Sequence, residues 1–250
     1  MQLTGNTVLI TGGGSGIGAG LAKAFHALGN TVIVAGRRRS GLDEVADHCP
    51  GVETMLLDVG RISSIAVAAS SVVERHPGLN VLINNAGVML ADDPGNRMDD
   101  EAAAIQVATN LLGPIRMTSA LMPLLRRQAR AHLVYMSSAY AFTPLSAFAV
   151  YSATKAALHS YILSQRFMLK DSRVSVQEVV PPWVGTGLLG PPDHPLAMRL
   201  DDFIEDIMGA LATDASEIVP EQARALRNNA GPAEQSYVDQ HNNFFLGQSY

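Results

Sequence analysis

Six short β-rich, apolar runs recur along the chain, at Thr7–Thr11, Thr31–Gly36, Glu53–Val59, Asn80–Asn84, His132–Met136 and Val174–Val180. They are mostly continuous rather than alternating, which is the pattern of strands buried on both faces. Several are bounded by Gly, Pro or Asn. Helical stretches lie between them. Gly16–Leu28 sets Ile17, Leu21, Ala24, Phe25 and Leu28 on one helical stripe, and Gly29-Asn30 supplies a C-terminal stop. Ser40 with Asp43 reads as a capping pair that opens the next helix. Two longer helical segments follow, about Met98–Gln128 and about Tyr151–Lys170. In the first, Gly113-Pro114 predicts a kink or a turn. Alternating strands and helices admit few architectures. The expectation is an α/β fold, a three-layer doubly wound parallel sheet with helices on both faces.

The 250 residues suit a single domain spanning 1–250, and 47% hydrophobic against 16% charged residues allows it a large core. No internal repeat or linker interrupts it. Pro and Gly cluster at Pro181–Pro195, so a mobile substrate loop is expected over about 182–215. The polar tail over about 228–250 carries a few aromatics. It is expected to be an extension ending in a helix that docks on the body or on a second subunit.

Composition also excludes functions. A net charge of -5 offers no basic surface for nucleic acid. One cysteine, Cys49, permits no intrachain disulfide. The N-terminus lacks a basic n-region with an apolar run of signal length, and no stretch of about 18 apolar residues occurs. The expectation is a cytoplasmic protein with no membrane span. No His/Cys/Asp cluster has metal-ligand spacing, so no metal is expected. Asp193 and His194 read as solvated turn residues.

The stretch TGGGSGIG, Thr11 to Gly18, follows the first strand and opens the first helix. Gly12, Gly16 and Gly18 allow a tight turn, close backbone approach to a ligand and close helix–sheet packing. Free amides at the helix start can then cradle phosphate oxygens, as in Rossmann-type dinucleotide sites. No Gly-Lys-Ser/Thr follows, which disfavours a nucleotide-triphosphate loop. The second strand ends VAGRRR. Where an NAD-preferring site places an acid, this chain has Gly36 and then Arg37. A guanidinium matches a 2′-phosphate, and Ser15 adds a hydroxyl, so NADP(H) is expected rather than NAD(H).

In the stretch VYSATKAAL, Val150 to Leu158, Tyr151 and Lys155 stand at the start of a helical segment, four residues apart and therefore on one helix face. A phenol titrates near 10, and a nearby cation favours the phenolate. The pair is thus suited to moving a proton, although Tyr-x-x-x-Lys alone is a common surface pattern.

Taken together, TGGGSGIG, NNAG at Asn84–Gly87, Asn110, Ser138 and Tyr151-x-x-x-Lys155 resemble the short-chain dehydrogenase/reductase family, in its order and spacing from Thr4 to Thr186. The resemblance implies roles residue by residue. Thr11, Gly12, Ser15, Gly16, Ile17 and Gly18 would line the pyrophosphate. Arg37, with Arg38, would meet the 2′-phosphate. Asp58 and Val59 would sit by the adenine. Asn85, Ala86 and Gly87 would flank the cofactor. Pro181, Val184 and Thr186 would close over the nicotinamide. Asn110 would hold a water in a proton relay, and Ser138 would bond the substrate oxygen. Tyr151 would pass the proton, and Lys155 would tune it and reach the ribose. Pro181-Pro182 departs from the family's usual Pro-Gly. The ending SEIVPEQARALRNNAGPAE resembles the DltE branch of these oxidoreductases.

The implied activity is NADPH-dependent reduction of a ketone or aldehyde to an alcohol, reversible, on a small-molecule substrate. The implied assembly is a homodimer or homotetramer through the two long helices. Met89, Ala139, Tyr140, Phe148, Trp183, Leu188 and Leu189 flank the motifs and are the candidate substrate pocket. The competing readings are a nucleotide-binding regulator without turnover, and a dehydratase or epimerase on the same scaffold.

Overall fold

The computed structural model describes all residues except 230 and 248–250, and Leu246 without its side chain; the end of the expected tail therefore lies outside the described residues. The elements run β1 (Thr7–Thr11), α1 (Gly16–Ala27), β2 (Thr31–Gly36), α2 (Arg39–His48), β3 (Glu53–Leu56), α3 (Ile62–Arg75), β4 (Val81–Asn84) and α4 (Asp100–Val107). There follow α5 (Gly113–Leu125), β5 (Ala131–Met136), α6 (Ala149–Leu169), β6 (Val174–Val179), α7 (Leu200–Leu211), β7 (Glu217–Ile218), α8 (Glu221–Arg227) and α9 (Glu234–Leu246). The strands form one sheet in the order β3-β2-β1-β4-β5-β6-β7, with every neighbouring pair parallel. This is the doubly wound Rossmann topology, and the strand order reverses between β1 and β4.

Alternation along each strand builds the two outer layers. Leu9, Leu82, Leu133 and Val176 face α3, α5 and α6, where they bury against Val72, Leu121 and Ile162. Val8, Ile10, Val134 and Val179 face the opposite way, against Leu21 and Phe25 of α1 and Phe203 and Ile207 of α7. Both faces are covered, which is why the strands read as continuous apolar runs.

Several boundaries differ from the sequence reading. The third strand stops at Leu56 rather than Val59. β2 ends at Gly36, so after Leu57 donates to Gly36 O (2.9 Å) no ladder partner remains, and Asp58 accepts from Gly60 N (3.0 Å) in a turn. The Ser40–Asp43 capping pair does not form. α2 starts at Arg39, with Arg38 at the N-cap and no side-chain cap bond. Leu42 must reach the core, and Gly41 packs on Gly14, where an added Cβ would lie 2.5 Å from Gly14 O. The helix therefore begins before Ser40. The expected helix over 98–128 is three pieces: α4, a π-helical turn at Ala108–Leu112, and α5. Gly113 and Pro114 start α5 instead of kinking a continuous helix; Gly113 lies where a Cβ would meet Val59 at 3.0 Å. The segment expected as a loop over 182–215 contains α7 (Leu200–Leu211), and only the stretches before and after that helix are irregular. Gly29, at φ +75, does end α1, and Asn30 Nδ2 donates to Phe25 O at 2.8 Å.

Candidate active site

At the carboxyl ends of the strands, beside the β1/β4 reversal, lies a cleft of ≈ 500 Å³. The glycine-rich turn, the ends of β2 and β4, and the segments after β5 and β6 all open into it. Of the residues expected at the cofactor, Gly12, Ser15, Gly16, Ile17, Arg37, Arg38, Asp58, Val59, Asn85, Ala86, Gly87, Pro181, Val184 and Thr186 line it.

Two others lie just behind its wall. Thr11 is buried, and its Oγ1 accepts from Asn85 N (3.0 Å) and Ala86 N (3.1 Å), joining the ends of β1 and β4. Gly18 faces the turn from inside, where a Cβ would lie 2.3 Å from Gly12 O. Gly12 itself has φ +67, which favours glycine, and a Cβ there would meet Ala86 Cα at 2.9 Å. The turn can thus close only on hydrogen atoms.

The turn fits an anionic ligand. Ser15 caps α1 in an extended conformation (φ -165) without a side-chain bond to the helix amides, and no acid occupies the first turn. Those amides are left for another acceptor. Arg38 Nη2 donates to Ser15 Oγ (3.1 Å), which draws one guanidinium to the turn. Arg37 lines the cleft and has no hydrogen bond or ion pair among the described residues. Thr186 packs on Gly16, so the segment after β6 already reaches across to the turn.

Ser138, Tyr151 and Lys155 line the same cleft. Ser138 caps a 3-10 turn at Ala139–Ala141, with Oγ accepting from Tyr140 N (3.1 Å). It also hydrogen-bonds the Tyr151 hydroxyl. Ser137 points elsewhere, its Oγ donating to Val179 O (3.1 Å), as alternation at the strand end requires. Tyr151 and Lys155 stand one turn apart on α6, both buried. Lys155 Nζ donates to Met136 O (2.8 Å) and lies 5.6 Å from the Tyr151 ring centroid.

The electrostatics correct the sequence reading. Burial pushes the Tyr151 phenol up to about 12, and the Ser138 hydrogen bond opposes this only in part. Burial also lowers the Lys155 ammonium to about 8, against the attraction of Glu178. In this state desolvation, rather than the lysine charge, governs the phenol.

Asn110 does not line the cleft. It is buried in the π-helical turn, where Oδ1 accepts from Val88 N (2.9 Å) while Nδ2 donates to Val88 O (2.8 Å) and Thr154 Oγ1 (3.3 Å). Its side chain pins the segment after β4 to the α6 helix that carries Tyr151. The extra residue of the π turn is what brings it there.

Sequence reasoning missed three participants. Asp92 has no local signal, yet its two carboxylate oxygens accept from Ala149 N and Val150 N, each at 2.7 Å. A residue 57 positions upstream thus caps the helix that carries Tyr151. Gln106 is buried, and its Oε1 accepts from Leu90 N (3.1 Å), holding the same segment from α4. Glu178 of β6 is fully buried and faces α6, where its carboxylate meets His159 Nδ1 at 2.9 Å. His159, Glu178 and Glu217 bring three ligand-type atoms within 4.8 Å, a grouping drawn from three distant segments. Arg227 Nε bonds Glu217 (3.0 Å), and Arg166 Nη2 lies 3.8 Å from Glu178. The two carboxylates are therefore balanced by the chain's own cations.

At the substrate end, Met89, Tyr140, Trp183, Leu188 and Leu189 line the cleft. Phe148 packs against this group without lining the cleft. Ala139 does not belong to it: it is 1% exposed and packs with Val180 and Ala223 because its N–H donates to Pro181 O (2.9 Å). The terminal helix docks on the chain's own body. Phe245 of α9 joins the cluster of Tyr140, Tyr151 and Leu189.

The short chain dehydrogenase family model matches residues 6–194, so this chain belongs to that family. It is 35% identical to the uncharacterized oxidoreductase DltE of Bacillus subtilis (strain 168), over 91% of this chain and 93% of that protein. It is 32% identical to the NADP-dependent 3-hydroxy acid dehydrogenase YdfG of Salmonella typhi, over 71% of this chain and 72% of the relative. Among solved structures, a short chain dehydrogenase from Burkholderia cenocepacia J2315 in complex with NADP superposes with a TM-score of 0.83. It is 26% identical and covers 96% of this chain and 98% of that one. The chain is thus an oxidoreductase-family protein of the DltE-like branch. Among the described residues, no helix is long and apolar enough to cross a membrane.

Proposed function

We propose that the protein is an NADPH-dependent reductase that converts a ketone or aldehyde to an alcohol, reversibly. One observation carries this reading: Ser138, Tyr151 and Lys155 line the same cleft as the uncapped glycine turn with Arg37 and Arg38. The NADP-bound Burkholderia structure and the NADP-dependent Salmonella relative support the choice of cofactor.

The residues fit that cofactor in three places. The α1 amides and Gly12 receive the pyrophosphate, Arg37 and Arg38 the 2′-phosphate, and Asp58 and Val59 flank the adenine. The bound cofactor supplies the hydride. Ser138 Oγ and the Tyr151 hydroxyl then hold the substrate oxygen where negative charge develops. Tyr151 gives its proton to that oxygen, which a phenol held near 12 retains at neutral pH. Lys155 provides the cation that stabilises the phenolate left behind. In reverse, the phenolate takes the alcohol proton. Asn110 holds the wall between the β4 segment and α6, next to which a relay water would sit.

Within this reading the irregular part of 182–215 covers the nicotinamide and substrate end. A homodimer or homotetramer is also proposed. On the outer face of α6, Leu163, Phe167 and Met168 are 50%, 66% and 76% exposed, an apolar stripe suited to a second copy. Light scattering at micromolar concentration showing only monomer would remove that assembly.

The test of function follows reduced nicotinamide absorbance against a panel of ketones and aldehydes, with NADH as a control. Turnover with NADPH that vanishes in Tyr151→Phe is expected. Arg37→Asp is expected to lower the NADPH/NADH ratio of kcat/KM about 10-fold or more, since a phosphate contact is replaced by repulsion. An unchanged ratio would reject the Arg37 assignment.

A further inference from the structure

We propose that the substrate carries no carboxylate and presents an aromatic or bulky apolar group beside its carbonyl, and that Phe245 of α9 and Trp183 set this preference. This rests on the reductase reading above and deepens it.

The charges of the cleft are unevenly placed. Arg37, Arg38 and Asp58 lie at the adenine end, and Lys155 is held on Met136 O (2.8 Å) beside Tyr151. Beyond Tyr151, the described lining is neutral, with Met89, Tyr140, Trp183 and Leu189 as its main surfaces. The undescribed positions, Ala230, Gln248, Ser249, Tyr250 and the Leu246 side chain, include no cationic residue type.

Two imidazoles are near, and neither lines the cleft. The His241 ring lies 6.1 Å from the Tyr140 ring and 6.1 Å from the Phe245 ring, and burial lowers its affinity for a proton. His194 stacks on Trp183 at 4.2 Å, and its Nδ1 accepts from Leu196 N (3.2 Å). A carboxylate placed here would find no cationic partner in the described lining beyond Tyr151.

The aromatic wall is fixed by the fold. Asn242 of α9 is 7% exposed; its Nδ2 donates to Pro144 O (2.9 Å) and its Oδ1 accepts from Ser146 N (2.5 Å). This fastens α9 to the segment that leads into the Tyr151 helix. Phe245 then stands edge-on to Tyr140 (6.4 Å, 81°) and 5.7 Å from Trp183. It packs in one cluster with Tyr151 and Leu189 and backs Tyr140 and Trp183, whose rings line the cleft. Such a wall gains from a flat or bulky apolar group. The Salmonella relative is named for 3-hydroxy acids; this site is built for a different class.

The test measures NADP-dependent oxidation of 1-phenylethanol, 3-hydroxy-3-phenylpropanoate, 3-hydroxypropanoate and propan-2-ol by the full chain. Expected is a kcat/KM for 1-phenylethanol at least about 100-fold above that of either acid, the scale on which an unpaired buried polar group is rejected. Phe245→Ala and Trp183→Ala are expected to lower 1-phenylethanol kcat/KM about 10-fold or more, mainly through KM, and to lower propan-2-ol kcat/KM several-fold less. Unchanged NADP binding in the variants separates lost specificity from lost folding. Either acid matching 1-phenylethanol would overturn the proposal, as would equal losses for both alcohols in the variants. No oxidation of any alcohol, with NADP binding intact, would instead overturn the reductase reading.

Discussion

The two halves of the cleft are built in different ways. The cofactor half is mostly backbone and comes mainly from the first 90 residues, with Thr186 reaching across to Gly16. Its walls are the Gly12–Gly18 turn, the ends of β2 and β4, and close approaches such as Gly18 on Gly12 O. The substrate half is mostly side chain, with Met89, Tyr140, Trp183, Leu189 and Phe245 drawn from four separate segments. Backbone recognition needs side chains to be absent at fixed spacings, and that leaves a local sequence mark. Side-chain recognition needs only bulk in the right place, and many residues at many positions can supply it. The first half can therefore serve a shared cofactor while the second changes with the substrate.

Four measurements sharpen or break this contrast. The largest effect is expected from Tyr151→Phe, a loss of about 10²–10⁴-fold in turnover with cofactor affinity retained, since only the proton donor is removed. If cofactor binding fell as far as turnover, the two halves would not be separable.

Lys155→Met is expected next, with turnover lost and stability gained below pH 8. The folded Lys155 titrates near 8, below its usual 10.5, so burying it charged costs stability at low pH. That cost is relieved as pH rises from about 8 towards 10.5, because the unfolded chain binds the extra proton there. Denaturant unfolding at pH 7 and pH 9.5 should show wild type gaining on the variant as pH rises. Parallel curves would remove the buried charge from the account.

Gly18→Ala is expected to act on the cofactor half alone. An added Cβ at 2.3 Å from Gly12 O forces the turn open, a strain of about 1–3 kcal/mol, seen as weaker NADPH binding by fluorescence and a lower Tm. Retained affinity would show that the turn does not hold the phosphate.

Asp92→Ala is the smallest, about 1 kcal/mol from loss of the α6 cap. Its mark should be a lower kcat at an unchanged NADPH dissociation constant, because the cap aims Tyr151 and lies away from the turn. A Tm shift without a kcat change would make Asp92 structural only.

The strands at Thr7–Thr11 and Thr31–Gly36 were readable to the residue because both faces are buried and the runs are uniformly apolar. The Ser40–Asp43 cap was not, because the burial of Leu42 and the Gly41–Gly14 contact moved the helix start. The turn and the Tyr151–Lys155 pair could be named from sequence, since each depends on residue type at short spacing, and Ser138 through the family resemblance. Their assembly in one cleft could not. Asp92 capping a helix 57 residues away, Glu178 meeting His159, and Phe245 reaching Tyr140 are contacts between distant segments, without local periodicity to announce them. The layered α/β architecture, the glycine turn and the kinds of group available for chemistry are legible in the residues alone, because all three rest on local spacing and backbone sterics. The phenol's raised pKa, the cap on its helix and the neutral aromatic lining beside it arise from burial and distant packing, which exist only once the chain has folded.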